Sequence, residues 1–439
     1  MLYKDFFNEH SGKKLTLSTL LAYGFPAMPL AAMLLPVYIY LPAFYAQQLG
    51  LGLAAVGFVR FLSGIWDVGT DPIIGLLSDK SKNRFGRRKI YILLGLPITM
   101  IGTWMLLVPT GESIDAYYMM LWSCIMYLGW TMMMLPLTAL STELSTDYHE
   151  RSRIAGFREA GTIIGTVLTL GMISYLGLAE GESQGEAVRF IAIFICTVLP
   201  ISTAIFFWRV PDPQHVQETK IGFRKGLSVL KSNKPFRILI FCYLFNAFSN
   251  GLVAILSILF VENVIGGDET VGPYLFAYFV TGMIFLPLWV KLARKIGKHK
   301  SWSIAMAWAC LVFAFVPFVD SGDSLMFMII CILTGASVGA DLALPSSMQA
   351  DVVDYDLVES GERRAGLYFA LWGMSTKLSL AIAAGIAFPI LDWVNFPDEN
   401  THVLLILFCA VPILVKLLLI FIMWFYPLNK TALAKIQSR

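Results

Sequence analysis

Long apolar segments separated by short charged loops run along almost the whole chain. A helix needs about 20 consecutive apolar residues to cross the hydrocarbon core of a bilayer, and segments of that length recur twelve times. We therefore predict an all-α membrane protein with twelve transmembrane helices. The predicted helices span 17–44, 52–77, 90–109, 116–140, 155–178, 188–208, 237–261, 272–293, 301–319, 325–349, 365–390 and 402–427.

The longest polar interruption between predicted helices, residues 211–235, lies near the middle of the chain. It divides the predicted helices into two equal groups. We predict an N-terminal six-helix half at 1–210, a cytoplasmic linker at 211–236, and a C-terminal six-helix half with a cytoplasmic tail at 237–439.

Composition and charge placement support a membrane protein. The chain is 57% hydrophobic and 14% charged, with a mean hydropathy of +0.69, whereas soluble domains are roughly a quarter charged. Lys and Arg concentrate on alternate loops, and basic loops stay in the cytoplasm. We therefore predict a multi-pass protein of the cell (inner) membrane with both termini in the cytoplasm. Residues 1–16 lack the apolar core of a cleaved secretory signal.

The sequence contains only weak matches to catalytic and metal-binding motifs. The five histidines lie in loops or at helix ends, and no H-E-x-x-H motif occurs. The pattern G-x-S-x-G occurs around Ser183 and Ser337 without the strand-to-helix turn that would expose a nucleophile. The six cysteines lie in apolar segments with no C-x-x-C pair. We therefore expect that the chain is not an enzyme, that it has no catalytic residue or cofactor, and that it does not bind nucleic acids.

Ionisable residues inside a membrane are costly and point to function. The second predicted helix carries Arg60, Asp67 and Asp71, whose spacing places them along one helical face. Two carboxylates one turn apart repel by roughly 3 kcal/mol at an effective dielectric near 20. A positive group is therefore needed beside them: a bound Na⁺, a shared proton, or Lys377 of the eleventh helix. A fixed structural ion-pair network is the alternative interpretation.

Further polar side chains inside predicted helices are candidates for solute binding, each with a structural alternative. Asp341 is an intramembrane acid, while Lys416 either snorkels or faces a polar seam. Asn246 and Asn250 face a cavity or join helices by hydrogen bonds. Arg158, beside Glu159, contacts the solute or anchors a cytoplasmic gate. Trp372 stacks on a sugar ring or packs in the core.

Three separated motifs carry a family resemblance that covers nearly the whole chain. They read WDVGTDPIIGLLSDKSKNRFGRRK, LPLTALSTELSTDYHERSRIAGFR and MQADVVDYDLVESGERRAG. The loop in the first motif resembles the signature of the major facilitator superfamily. Together the motifs resemble the glycoside-pentoside-hexuronide:cation symporter family. The resemblance implies the major facilitator superfamily fold and cation-coupled transport.

The same resemblance implies roles for individual residues. The cation site corresponds to Asp67, Asp71, Thr70 and Thr131, with the two acids as metal ligands if the ion is Na⁺. Lys377 corresponds to the family's charge partner. Arg158 matches the arginine of the family's fifth helix. Thr70 stands where the melibiose-transporting member has an asparagine, which leaves H⁺ as an alternative to Na⁺.

The sugar-binding positions of the family depart in this chain. Its two galactoside-binding acids fall at Ala31 and Met134, and its stacking tryptophan falls at Thr138. Arg60 and Asp341 are additional charges, which suggests an anionic or zwitterionic solute. We predict a symporter that couples Na⁺ or H⁺ to uptake of a sugar or sugar-acid derivative. A transporter of zwitterionic or lysolipid-like solutes is the alternative. The chain is expected to act as a monomer in contact with membrane lipid.

Overall fold

The computed structural model describes residues 15–81, 86, 88–110, 114–144, 148–176, 183–211, 233–266, 271–360, 365–397 and 401–428. Within these residues the chain forms helices joined by short turns, which confirms the predicted all-α fold. The helices are numbered α1 to α12 in chain order. Their bounds are Leu17–Gln48, Leu53–Lys80, Lys89–Leu107, Ala116–Glu143, Tyr148–Leu176, Ser183–Arg209, Lys234–Ile265, Val271–Ile296, Lys298–Phe318, Ser324–Ser360, Ala365–Trp393 and Thr401–Trp424.

Eleven of these helices are long and apolar enough to cross a membrane, counted over the described residues. The remaining one is α5, whose first half carries Arg153, Arg158 and Glu159. These charges shorten the apolar stretch, so the sequence signal for a span is weaker there than in the other helices. The twelfth transmembrane span stays a prediction.

Several helices extend beyond the ends expected from hydropathy. Helix α10 was expected over 325–349 and instead continues to Ser360. The additional turns are rich in charged residues, including Asp354 and Glu359. Helical hydrogen bonding propagates along the chain without regard to polarity, whereas hydropathy marks only the membrane-embedded part. Helix α1 differs from the prediction in another way, because a turn at residues 25–26 interrupts it.

Some expectations fall on parts of the chain outside the described residues. These include the N-terminal segment 1–14, most of the predicted linker (212–232) and the C-terminal tail 429–439. The basic loop after α2 is described only at its edges. Arg363 and Arg364, which belong to the basic loops predicted to lie in the cytoplasm, are also outside the described residues.

The chain divides into two compact units. The first comprises Met1–Leu51 and Ile65–Glu218, and the second comprises Gly52–Gly64 and Thr219–Arg439. The first turns of α2 thus group with the second unit. The sequence-based boundaries at 210 and 237 stay a prediction.

In the first unit, α3 packs closely along α4, and α1 packs on α5 and α6. Small residues permit the close approach: a Cβ atom at Gly129 of α4 would overlap the backbone of Thr99 on α3. Lys89, at the start of α3, donates a hydrogen bond from Nζ to the carbonyl of Val210 at 2.5 Å. Because helix C-terminal carbonyls lack helical partners, this lysine stabilises the end of α6.

In the second unit, α8 packs along α10, and α7 packs on α11 and α12. Its largest fully buried side chain is Trp302 of α9. The phenyl rings of Phe260 and Phe408 stack with centroids 4.3 Å apart. The first turns of α2 lie against α11, where the amide of Ala54 donates to Asp392 Oδ1 at 3.3 Å. The close packing of these helices fixes the positions of the charged side chains inside the membrane.

Candidate functional site

Two acids of α2 are held on one side of that helix in the first unit. Asp67 and Asp71 lie one turn apart, and Asp67 is 2% exposed. Pro72 lies inside the same helix. Because proline has no N–H, the carbonyl of Val68 loses its usual helical hydrogen bond. An acceptor-rich turn of α2 thus carries both acids.

Helix α4 supplies a hydroxyl group that lies between the two acids. Thr131 Oγ1 is 3.1 Å from Asp67 Oδ1 and 3.0 Å from Asp71 Oδ1, and Thr131 is fully buried. A threonine hydroxyl carries one hydrogen, so it donates fully to only one of the two carboxylates at a time. Three oxygen atoms from two helices therefore converge at this point.

Neighbouring contacts fix the orientation of these side chains. The Thr70 hydroxyl donates to the backbone carbonyl of Asp67 at 2.9 Å, which leaves its lone pairs available. The indole of Trp66 donates to the carbonyl of Cys124 at 3.1 Å and joins α2 to α4. The structure thus brings together Asp67, Asp71, Thr70 and Thr131, the residues predicted to form the cation site.

The chemistry of this oxygen cluster suits a small hard cation or a proton. Carboxylate and hydroxyl oxygens are ligands for hard cations, whereas zinc and copper favour nitrogen or sulfur. Over the described residues, no cluster of three or more His, Cys, Asp or Glu side chains occurs. Repulsion between the acids, roughly 3 kcal/mol at an effective dielectric near 20, favours occupation by a positive charge.

Arg60 and Lys377, predicted as solute ligand and charge partner, both belong to the second unit. Arg60 is 5% exposed on the first half of α2, within the residues that group with the second unit. Lys377 lies on α11 in the second unit. Their roles as solute ligand and charge partner stay predictions.

Trp372 has an aromatic neighbour that hydropathy did not indicate. Its indole stacks on the ring of Tyr243 from α7, with centroids 3.6 Å apart and planes 22° apart. The Tyr243 hydroxyl lies 2.8 Å from Thr376 Oγ1. One face of Trp372 is therefore covered by protein, so stacking on a sugar ring, which stays a prediction, would use the other face.

Arg158 forms a salt bridge with the adjacent Glu159. Its Nε atom is buried without a hydrogen-bond partner among the described residues. An unsatisfied buried donor costs free energy, so this guanidinium is suited to an additional acceptor. Both earlier interpretations, a gate anchor and a solute contact, stay open.

A second polar cluster lies inside the second unit. It comprises five side chains from α7, α9, α10 and α12: Asn246, Asn250, Trp302, Asp341 and Lys416. The sequence indicated four of these residues separately and gave no sign that they meet. Trp302 was missed because a tryptophan in an apolar segment has no distinctive pattern. We call this set the Asp341 cluster.

Comparison with known proteins identifies the family. A family model described as MFS/sugar transport protein matches residues 22–430, which is most of the chain. The chain belongs to this family. The expected major facilitator superfamily fold and a transporter function of the symporter type are thereby confirmed.

Relatives in this family are similar over most of their length. A symporter of Synechocystis sp., whose name specifies no solute, is 26% identical, and the match covers 85% of each chain. The human sodium-dependent lysophosphatidylcholine symporter 1 is 22% identical over 87% of this chain and 77% of its own. YagG of Escherichia coli, named for a proposed glycoside/cation symport, is 25% identical over 84% of this chain and 83% of its own.

Solved structures share the fold. The nucleoside transporter NupG (D323A mutant) superposes with a TM-score of 0.68 over 92% of this chain and 98% of its own. At 14% sequence identity the likeness concerns the fold alone.

Proposed function

We propose that this family member is a symporter in which Asp67, Asp71 and Thr131 bind the coupling cation. The observation that carries the proposal is the position of one buried hydroxyl at 3.0 to 3.1 Å from both acids. Oxygen atoms of two acids and one hydroxyl, brought together from two helices, form a ligand set that suits a small hard cation.

Coupling follows from the electrostatics of this site. Two adjacent carboxylates repel each other, and a bound cation removes that repulsion. Alternating access places the solute between structural repeats near the midplane of the membrane. If the cation favours the conformation that binds solute, the solute must raise cation affinity by the same factor.

Na⁺ is the proposed coupling ion. The vertebrate relatives are named sodium-dependent symporters, and three oxygen atoms of two acids and one hydroxyl suit Na⁺ as well as a proton. Orientation with both termini in the cytoplasm of the cell (inner) membrane belongs to the same proposal, since the basic loops favour it. A monomer is sufficient for the mechanism, because one chain supplies all three oxygen ligands.

Replacement of Thr131 by valine is expected to weaken cation binding by about 10- to 100-fold. Valine keeps the shape and removes the hydroxyl, and a hydrogen bond to a charged group contributes about 1.5 to 3 kcal/mol. The measurement is thermal stabilisation of the purified protein by titrated Na⁺ and Li⁺. Thr131→Ser keeps the hydroxyl and serves as the matched control. A valine variant with unchanged ion affinity would argue against a ligand role.

Two classes of solute are proposed. A sugar or sugar acid is supported by the family description and by YagG. A zwitterionic lipid headgroup is supported by the lysophosphatidylcholine symporters and by the surplus intramembrane charge Arg60. Both classes present hydrogen-bonding groups, but only the second carries a phosphate that would pair with an arginine.

A binding screen distinguishes these solutes and tests the symport. The purified protein is titrated with neutral sugars, sugar acids and lysophosphatidylcholine, with and without Na⁺, at two pH values. We expect one class to bind about 5- to 150-fold more tightly with the coupling ion, the usual range of coupling between sites. Reconstituted vesicles then test accumulation. Solute accumulation against its gradient without any ion gradient would contradict the symport mechanism.

A further inference from the structure

The Asp341 cluster is a nearly closed ion-pair site built from four helices of the second unit. The side chains of Asp341 and Lys416 are 15% and 10% exposed, and Asn246 and Trp302 are 2% and 0% exposed. Buried charges are rare unless they are paired and hydrogen-bonded. The arrangement therefore has a structural or functional reason beyond packing.

Both oxygen atoms of the Asp341 carboxylate accept hydrogen bonds. Its Oδ1 accepts from Trp302 Nε1 at 2.7 Å, and its Oδ2 accepts from Asn250 Nδ2 at 3.1 Å. These bonds come from two neutral groups that hold the carboxyl group in one orientation. They position Oδ2 toward α12.

The ammonium group of Lys416 is bonded to an amide and only loosely paired with the acid. It donates to Asn246 Oδ1 at 2.6 Å and lies 3.7 Å from Asp341 Oδ2. A direct hydrogen bond between these charged groups would be about 2.7 to 2.9 Å long. An ammonium has three donors, and a polar separation beyond 3.5 Å is suited to a bridging water.

A small cavity lies beside this loose pair. Its volume is about 50 Å³, and its lining includes the polar side chains of Asn250, Tyr278, Thr334, Ser337, Asp341 and Lys416. A water molecule requires about 10 to 15 Å³ of such space and two to four polar partners. The cavity therefore has room for a few water molecules in contact with both charged groups.

The size and charge of this site limit what it binds. A sugar or a lipid headgroup is far larger than the cavity. A metal cation would meet the ammonium of Lys416 at close range and be repelled. A proton needs only an acceptor oxygen and a water molecule to carry it, and Asp341 Oδ2 beside the cavity provides the acceptor.

We propose that Asp341 is a proton-binding site in the second unit, distinct from the acids of α2. A water molecule in the cavity releases a proton to Asp341 Oδ2 as it takes up another from the solvent side, so it stays neutral, and the reverse transfer restores the carboxylate. No other reactant is required. Protonation of Asp341 does not require Asp67 or Asp71.

Protonation would change the contacts of α12. A neutral Asp341 no longer balances the charge of Lys416, which is left with Asn246 as its polar side-chain neighbour. A buried ammonium without a counter-charge is strongly unfavourable. Proton binding is therefore coupled to a rearrangement of α12 against α7 and α10, which is the physical requirement for linking a proton to a conformational change.

Besides Lys416 on α12, the ionisable groups that face Asp341 within the described residues are Tyr243 on α7, Tyr278 on α8 and Cys310 on α9. Tyrosine and cysteine are neutral in their protonated forms. Asp341 and Lys416 are therefore the charged pair of this region.

Infrared difference spectroscopy of the purified full-length protein in lipid nanodiscs tests the proposal without a solute. Spectra in alkaline and acidic buffer are compared in the carbonyl-stretch region of protonated carboxyl groups. We expect Asp341→Asn to lose band intensity equivalent to one carboxyl group. Asp67→Asn/Asp71→Asn loses any bands of its own two acids but should keep the band that Asp341→Asn removes, so the result is independent of the proposed cation site.

Two further variants keep the test decisive if Asp341→Asn does not fold. Asp341→Asn/Lys416→Met removes both charges and should show the same loss. Asp341→Glu keeps a carboxyl group and should show a band of equal intensity at a shifted frequency. Identical spectra for the wild type and for a folded variant without the Asp341 carboxyl group would overturn the proposal and leave the pair with a structural role.

Discussion

Replacement of both Asp67 and Asp71 by asparagine is expected to abolish ion-driven solute accumulation while the protein stays folded. Asparagine keeps the size of each side chain and removes the charge that attracts the cation. The Thr131 hydroxyl can still bond to an amide oxygen, so the contact between α2 and α4 is retained. Ion binding measured by thermal stabilisation should fall below detection in the same variant.

The single variants should separate the contributions of the two acids. Asp67 is almost fully buried, whereas Asp71 is only partly buried. A charge is worth more in a low-dielectric environment, so Asp67→Asn should weaken ion binding more than Asp71→Asn. In either variant, solute should still move down its own concentration gradient, because this movement does not require coupling to the ion.

A matched control comes from an acid away from the site. Asp354 is exposed on the charged extension of α10, and Asp354→Asn should leave ion binding unchanged. Ion-driven accumulation that survives in Asp67→Asn/Asp71→Asn would exclude these acids as the coupling site. In that event the Asp341 cluster would be the next candidate for ion coupling.

The fold was predictable because the bilayer imposes a single strong constraint on sequence. Each spanning segment needs about 20 apolar residues with its backbone bonded internally, and this leaves a repeated signal that needs no alignment. The helix ends were less predictable. Apolar content stops at the membrane surface, whereas α10 continues as a helix to Ser360.

The candidate site was predictable only at residues whose burial in a membrane costs an unusual amount of free energy. Asp67, Asp71 and Asp341 stand out because an acid in a membrane is expensive. Thr131 came from the family resemblance, since a threonine in a helix is common. Its bridging position depends on how α4 packs on α2, and periodicity within one helix contains no information about such packing.

The same limit explains why the Asp341 cluster was not predicted as a unit. Its members come from α7, α9, α10 and α12, and the most distant contact, between Asn246 and Lys416, joins residues 170 positions apart. A sequence shows that each polar residue needs a partner. Only the tertiary structure identifies Trp302 and Asn250 as the partners of Asp341 and Asn246 as the partner of Lys416.

Lys416→Met is expected to destabilise the second unit by about 3 to 5 kcal/mol, the usual cost of removing one partner of a buried ion pair. Methionine fills a similar volume, so the loss comes from the uncompensated charge of Asp341. Thermal and denaturant unfolding of the reconstituted protein measure the effect. Lys291→Met, at an exposed lysine on α8, is the control and should change stability by less than about 0.5 kcal/mol.

Asp341→Asn/Lys416→Met completes a double-mutant cycle. Because replacing both charges removes the uncompensated group, the double variant should be more stable than Lys416→Met, with a coupling energy of about 1 to 3 kcal/mol. Simple additivity of the two single changes would mean that Lys416 Nζ and Asp341 Oδ2, 3.7 Å apart, have no net interaction.

The same cycle repeated in acidic buffer tests whether Asp341 binds a proton. If Asp341 takes up a proton there, the wild type loses the charge pairing itself, and the coupling energy should fall toward zero.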